Sequence, residues 1–231
     1  MKRKAFKAAF PYTIPVFLGY ICLGIAFGVM LSAKGYHPAW AFVMSVSIFA
    51  GAMQFVMVSL LTPPVHILST IILTLTVNAR HLTYGLSLLS KFKNMGKKKL
   101  YLMFGLTDET YSLLCSIEPP EDVDKSWFYF FITILDHSYW ITGSVIGAVA
   151  GSLFQFNSAG IEFSMTALFV VIFINQWENQ KNHFSAISGI IISIICLVLF
   201  GSGNFLIPAM ICILFCLILM KKRLQGEKTD A

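Results

Sequence analysis

The chain has 231 residues, of which 57% are hydrophobic and only 12% charged, with a formal net charge of +6. A soluble domain carries about 25% charged residues, so this composition excludes a disordered chain, a disulfide scaffold and almost any soluble enzyme. The basic residues flank apolar runs rather than interleaving with aromatics on a polar face, which argues against nucleic acid as the acidic partner.

In chain order, Lys2, Arg3, Lys4 and Lys7 precede an apolar stretch that lacks a small-residue cleavage site and reads as a retained first span. Apolar stretches at about 10–33, 39–62, 65–90, 100–117, 127–155, 159–177, 184–201 and 204–220 follow, and a helix of about 20 residues crosses the ~30 Å of a hydrocarbon core. The fold expected is an all-α, polytopic membrane bundle of seven to eight transmembrane segments, forming one transporter domain over residues 1–231. The five cysteines all lie in apolar runs without a C-x-x-C pair and read as small hydrophobes.

Basic residues of short loops favour the cytoplasmic side. The N-terminal tail, the 91–99 loop with Lys91, Lys93, Lys97, Lys98 and Lys99, and the tail from Lys221 are therefore expected inside, and the N-terminus is cytoplasmic. Segment 118–126, with Glu118, Glu121, Asp122 and Asp124 against Lys125, is expected outside. Simple spans cannot put both the N-terminal tail and 91–99 inside, so either 39–62 or 65–90 should be re-entrant or broken, as helices lining transporter sites often are. Gly24-x-x-x-Gly28 with Phe42, Met44-Ser45 and Gln54-Phe55 is echoed by Gly147-x-x-x-Gly151 with Phe163, Met165-Thr166 and Gln176-Trp177. The echo suggests repeats over 10–90 and 127–220, inverted if an odd number of crossings separates them.

Charges inside apolar stretches each cost at least ~2.5–3.5 kcal/mol at mid-span and nominate the functional residues. Arg80, flanked by Asn78 and His81, is either a guanidinium for a substrate carboxylate or a side chain snorkelling to the headgroups. Asp108 and Glu109 lie at the centre of 100–117. Two adjacent carboxyls cannot both ionise cheaply in low dielectric, which suits proton coupling; the other reading is a salt bridge from this pair to Arg80. Asp136 is either a second proton site or an interfacial residue, and it shares a helical face with Tyr139, Trp140, Gly143 and Gly147. Phe49, Ala50, Gly51 and Gln54 form either a kinked pocket wall or a close-packed contact with Gln54 satisfied by a neighbour. The P-loop, G-x-G-x-x-G, H-E-x-x-H and G-x-S-x-G signatures do not occur, and the five histidines are widely spaced, so no enzyme activity, metal site or cofactor is expected.

Taken together, Pro15, Gly19 and Gly28 in the first span, Phe49-Ala50-Gly51-Ala52-x-Gln54, Asn78-x-Arg80-His81 with Tyr84-Gly85, Asp108-Glu109, and Trp140-x-x-Gly143-x-x-x-Gly147 resemble the AzlC family over about residues 8 to 200. Where that family shows G-[LI]-D-F, this chain has Gly160-Ile161-Glu162-Phe163, the carboxyl longer by one methylene. The resemblance implies a permease of the bacterial plasma membrane that exports branched-chain amino acids (leucine, isoleucine, valine) and in some members methionine. It also implies a separate small membrane subunit of the AzlD type. The alternative class is a channel or a non-transporting subunit of a membrane assembly.

Overall fold

The computed structural model describes residues 2–61, 67–154, 163, 166–167, 170–171, 173–174, 177–178 and 183–226. Its elements are α1 (Lys2–Ala33), α2 (Pro38–Ser47), α3 (Gly51–Leu60), α4 (Ile67–Leu88), α5 (Lys98–Phe104), α6 (Asp108–Ser116), α7 (Lys125–Leu153), α8 (Phe184–Asn204) and α9 (Leu206–Gly226). The chain divides into two compact units, Met1–Val65 with Val77–Leu168, and His66–Thr76 with Phe169–Ala231. Large apolar side chains stand exposed on both, Leu82 and Leu86 at 73% and Val198 at 78% among them, far more apolar surface than water tolerates. Among the described residues, Lys2–Ala33 and Phe184–Gly201 are long and apolar enough to cross a bilayer.

In the first unit α1 and α7 lie side by side and run in the same direction. Phe6 meets Phe131, Tyr20 meets Trp140, and a Cβ on Gly28 would lie 2.1 Å from the Ser144 carbonyl oxygen. On the other side a Cβ on Gly147 would lie 2.1 Å from the Ile25 carbonyl oxygen, so only glycine lets these backbones approach so closely. The two Gly-x-x-x-Gly helices are thus parallel. Most of 159–177, with Glu162 and Gln176, lies outside the described residues.

Stretches 39–62 and 100–117 are each a pair of short helices. Stretch 39–62 breaks at Ile48–Ala50 between α2 and α3, whereas α4 is one helix of 22 residues, so the break expected in 39–90 falls in its first part. Pro38 opens α2 with His37 Nδ1 accepting from the Ala39 amide at 3.2 Å, and the Leu61 carbonyl past the end of α3 accepts from the Tyr36 hydroxyl at 3.4 Å. The chain therefore enters and leaves at the same end, where α1 finishes.

Stretch 100–117 is not one span either. It breaks at Gly105–Thr107 because the Thr107 hydroxyl accepts from the Thr110 amide and starts a new helix, α6, with Asp108 and Glu109 in its first turn. The Lys98 ammonium sits 3.9 Å from the Trp127 ring at the start of α7, and Lys91 Nζ donates to the Leu114 and Ile117 carbonyls at 2.6 and 3.3 Å, closing the end of α6. This second hairpin enters from the end where α1 and α7 begin, opposite to the first. At ~1.5 Å per residue, arms of seven to ten residues reach ~10–15 Å, about halfway through a bilayer.

The acidic loop is not on the far side from the N-terminus. Lys4 pairs with Asp122, Lys2 lies over Trp127 at 4.5 Å, and Glu118 is held by Lys125 and Lys91, each at 2.9 Å. Those two ammonium groups pull the Glu118 carboxyl down to about 2. Its four acids offset the lysines of the adjacent loop, so charge sign alone misassigns it.

In the second unit α8 packs on α9 through buried Cys196 and Ala209, with positive φ at Gly201 where α8 bends. The five cysteines are free.

Candidate functional site

The tips of the two hairpins meet midway along α1 and α7. Phe49, in the first break, has φ of +40°, a conformation that costs a non-glycine residue ~1–3 kcal/mol. Its ring is held by stacking on His137 at 4.2 Å and by edge contact with Tyr20 at 6.3 Å. Phe104, at the second break, lies 6.4 Å from Phe49. His137 ties both hairpins to α7, with Nδ1 bonded to the Tyr101 hydroxyl of α5 at 2.7 Å and Nε2 donating to the Ser45 carbonyl of α2 at 3.0 Å.

Beside Phe49, Ala50 is buried, and a Cβ on Gly51 would lie 3.1 Å from the Trp140 ring. Gln54 is fully buried, accepting from Trp140 Nε1 at 2.8 Å and donating to Ser45 Oγ at 3.3 Å. The four residues nominated at this motif do come together, with the Gln54 amide engaged by α7 and α2.

Asp108 and Glu109 are adjacent in sequence and separate in space, since residues one apart on a helix point about 100° from each other. Asp108 faces α4, paired with Arg80 at 2.6 Å and accepting from the Tyr84 hydroxyl at 2.5 Å. Glu109 faces α1 and accepts from the Tyr20 hydroxyl at 2.8 Å. Asn78 and His81 flank Arg80 without being part of the Arg80–Asp108 ion pair. Asn78 Oδ1 and Arg80 Nε are buried with no hydrogen-bond partner among the described residues, and the His81 ring packs against Tyr84 at 5.8 Å.

Asp136 is fully buried, and not interfacial. Its Oδ2 accepts from Thr110 Oγ1 at 2.8 Å, and its Oδ1 has no hydrogen-bond partner among the described residues. Tyr20, Tyr101, Thr107, Thr110 and His137 are site residues the sequence did not nominate. Asp136-His137 as a polar doublet in an apolar stretch, and Thr107 before two acids as a helix-start signature, are the signals that could have found two of them. Among the described residues no three His, Cys, Asp or Glu side chains converge as a metal site.

A family model described as AzlC protein matches residues 15–154. The Branched-chain amino acid transport protein AzlC of Bacillus subtilis (strain 168) is 48% identical over 226 residues, 98% of this chain and 89% of that protein. The chain belongs to the AzlC family. An uncharacterized membrane protein of Helicobacter pylori (strain J99 / ATCC 700824) is 45% identical, covering 96% of this chain and 97% of its own length. The Inner membrane protein YgaZ of Escherichia coli (strain K12) is 29% identical over 74% of this chain and 72% of its own length. No solved structure matches significantly. With this family and its exposed apolar helices, the chain is a membrane protein whose elements among the described residues are all helices. Family model and breaks coincide, since residues 15–154 hold both hairpins and the α1–α7 pair.

Proposed function

We propose that this chain is a secondary transporter of the bacterial plasma membrane that exports branched-chain amino acids, coupled to protons, together with a small membrane subunit of the AzlD type. The observation that carries the reading is the meeting of two broken helical hairpins, entering from opposite ends, in a chain 48% identical to a branched-chain amino acid transport protein. In this reading α1, α4 and α7 cross the membrane and the hairpin tips lie near its midplane, where transporters bind substrate.

A zwitterion presents a carboxylate and an ammonium group, and the Arg80–Asp108 pair offers the complement of each. Substrate entry exchanges the internal pair for two pairs with the ligand, with Asn78 and His81 flanking. Phe49, Ala50, Gly51 and Gln54 wall the apolar side-chain pocket. Glu109 and Asp136, each held by hydroxyls rather than by a cation, are the proton-carrying groups. Nothing in this scheme requires a covalent step, in keeping with a transporter rather than an enzyme.

The test is efflux from cells loaded with leucine-, isoleucine- and valine-containing dipeptides, with and without the chain and the small subunit. Saturable, protonophore-sensitive release lost in Arg80→Ala is expected. Release without saturation or proton dependence would mean a channel, and no release with the protein and subunit confirmed in the membrane would remove export as the function. A double variant, Arg80→Ala with Asp108→Asn, separates folding from binding. The single Arg80→Ala leaves Asp108 unpaired and destabilises by up to ~3 kcal/mol, while the double variant regains stability and still fails to transport.

A further inference from the structure

Between Glu109 and Asp136 runs an unbroken line of hydroxyl groups. Tyr20 donates to Glu109 Oε2 at 2.8 Å, the Tyr20 hydroxyl contacts Thr107 Oγ1, Thr107 donates to Thr110 Oγ1 at 3.0 Å, and Thr110 donates to Asp136 Oδ2 at 2.8 Å. Counting hydrogens decides what this line requires. It has four oxygen-to-oxygen contacts, and its three hydroxyls supply one hydrogen each.

With both carboxyls ionised, Tyr20 donates to Glu109 and Thr110 to Asp136. Thr107 donates to Thr110, and the Tyr20–Thr107 contact is left without a hydrogen. One added proton repairs it from either end. On Glu109 it lets Tyr20 turn to Thr107; on Asp136 it donates to Thr110, which turns to Thr107, which turns to Tyr20. Two added protons leave one hydrogen in excess. The line is complete only with one proton on the carboxyl pair.

We propose that Tyr20, Thr107 and Thr110 are a proton relay that shares a single proton between Glu109 and Asp136. Transfer from one end to the other moves four hydrogens by one bond each. Asp136 loses its proton to Thr110, Thr110 passes its own to Thr107, Thr107 to Tyr20 and Tyr20 to Glu109, so the net change is one proton from Asp136 to Glu109. The relay joins Asp136 of α7, which is 0% exposed, to Glu109 in the first turn of α6. The remaining charged groups near the pair, Arg80 and Asp108, are occupied with each other. The two threonines ride on the tip of the second hairpin, while Tyr20 and Asp136 belong to α1 and α7. Withdrawing the hairpin therefore breaks the line at both ends, which ties proton transfer to hairpin position.

The proposal rests on the proton-coupled reading above, and two measurements keep their failures apart. In membrane vesicles containing the chain and the small subunit, leucine-driven proton movement and leucine counterflow are followed together. Tyr20→Phe and Thr110→Val are expected to lower the protons moved per leucine at least ~10-fold, and Thr110→Ser restores the ratio. Wild-type protons per leucine in Tyr20→Phe would overturn the relay and leave coupled transport standing. Leucine movement without protons in the wild type would overturn the coupled reading, and the second measurement then decides the relay.

That second measurement is the infrared carbonyl stretch of protonated carboxyls in the purified protein at neutral pH. Sharing predicts one protonated carboxyl, lost in Asp136→Asn and lost equally in Glu109→Gln, because either amide supplies the fourth hydrogen. Two independent bands, a band removed by only one of the substitutions, or no band at all would overturn the proposal.

Discussion

Trp140 and Gln54 hold each other where α7 passes the first hairpin, and neither has access to water. Trp140→Phe keeps most of the ring volume and removes the indole N–H, leaving the Gln54 carbonyl buried without that partner. The expected cost is ~1–3 kcal/mol, read as a lower unfolding temperature in detergent. Adding Gln54→Leu should recover part of it, because removing both partners avoids the stranded polar atom. A double variant no more stable than Trp140→Phe would show that Gln54 is held by Ser45 alone. At this scale the legible part is a charge out of place: Arg80, Asp108, Glu109 and Asp136 were conspicuous in apolar stretches. Tyr20, Thr107 and Thr110 were not, because hydroxyls are common in membrane helices, and His137 was overshadowed by the acid beside it; only their convergence from α1, the start of α6 and α7 gives them meaning.

Between elements the decisive contact is the seam of α1 on α7, and its glycines differ sharply in what they allow. A Cβ at Gly147 would meet the Ile25 backbone at 2.1 Å, whereas a Cβ at Gly19 meets nothing within 4 Å. Gly147→Ala is expected to force the helices apart at ~1–3 kcal/mol or more. Gly19→Ala should be neutral or stabilising by up to ~1 kcal/mol through helix propensity. Thermal unfolding of both variants checks the pair, and equal stability would show that the seam is not as tight as the backbone distances say. The helical stretches were legible in hydropathy; a break in 39–90 was legible only from the loop charges, and the break in 100–117 was not legible. A break at Gly105–Thr107 leaves the apolar count of 100–117 unchanged, and neither this break nor that at Ile48–Ala50 contains a proline. What starts a new helix at Thr107 is a side-chain cap, a local hydrogen bond that averaging over a window removes.

Across the whole first unit, chain direction and loop charge make a topology that can be checked from outside the cell. The parallel α1–α7 pair, with Lys4 against Asp122 and Lys91 against Glu118, requires the N-terminal tail, the 91–99 loop and the 118–126 loop to emerge at one end. The turn at Lys34 and Gly35, after α1, emerges at the other. Because the lysine-rich tail and loop outweigh the acids between them, the positive-inside bias predicts that the shared end is the cytoplasmic one. With Cys22, Cys115, Cys196, Cys212 and Cys216 replaced, single cysteines at Lys34, Gly96 and Asp122 should answer a membrane-impermeant thiol reagent differently. Lys34→Cys is expected to label in intact cells, and Gly96→Cys and Asp122→Cys only after the membrane is opened. Labelling of Asp122→Cys but not Gly96→Cys from outside would restore a simple span over 100–117 and remove the second hairpin. Labelling of both together, with Lys34→Cys protected, would keep the hairpins and reverse the molecule in the membrane.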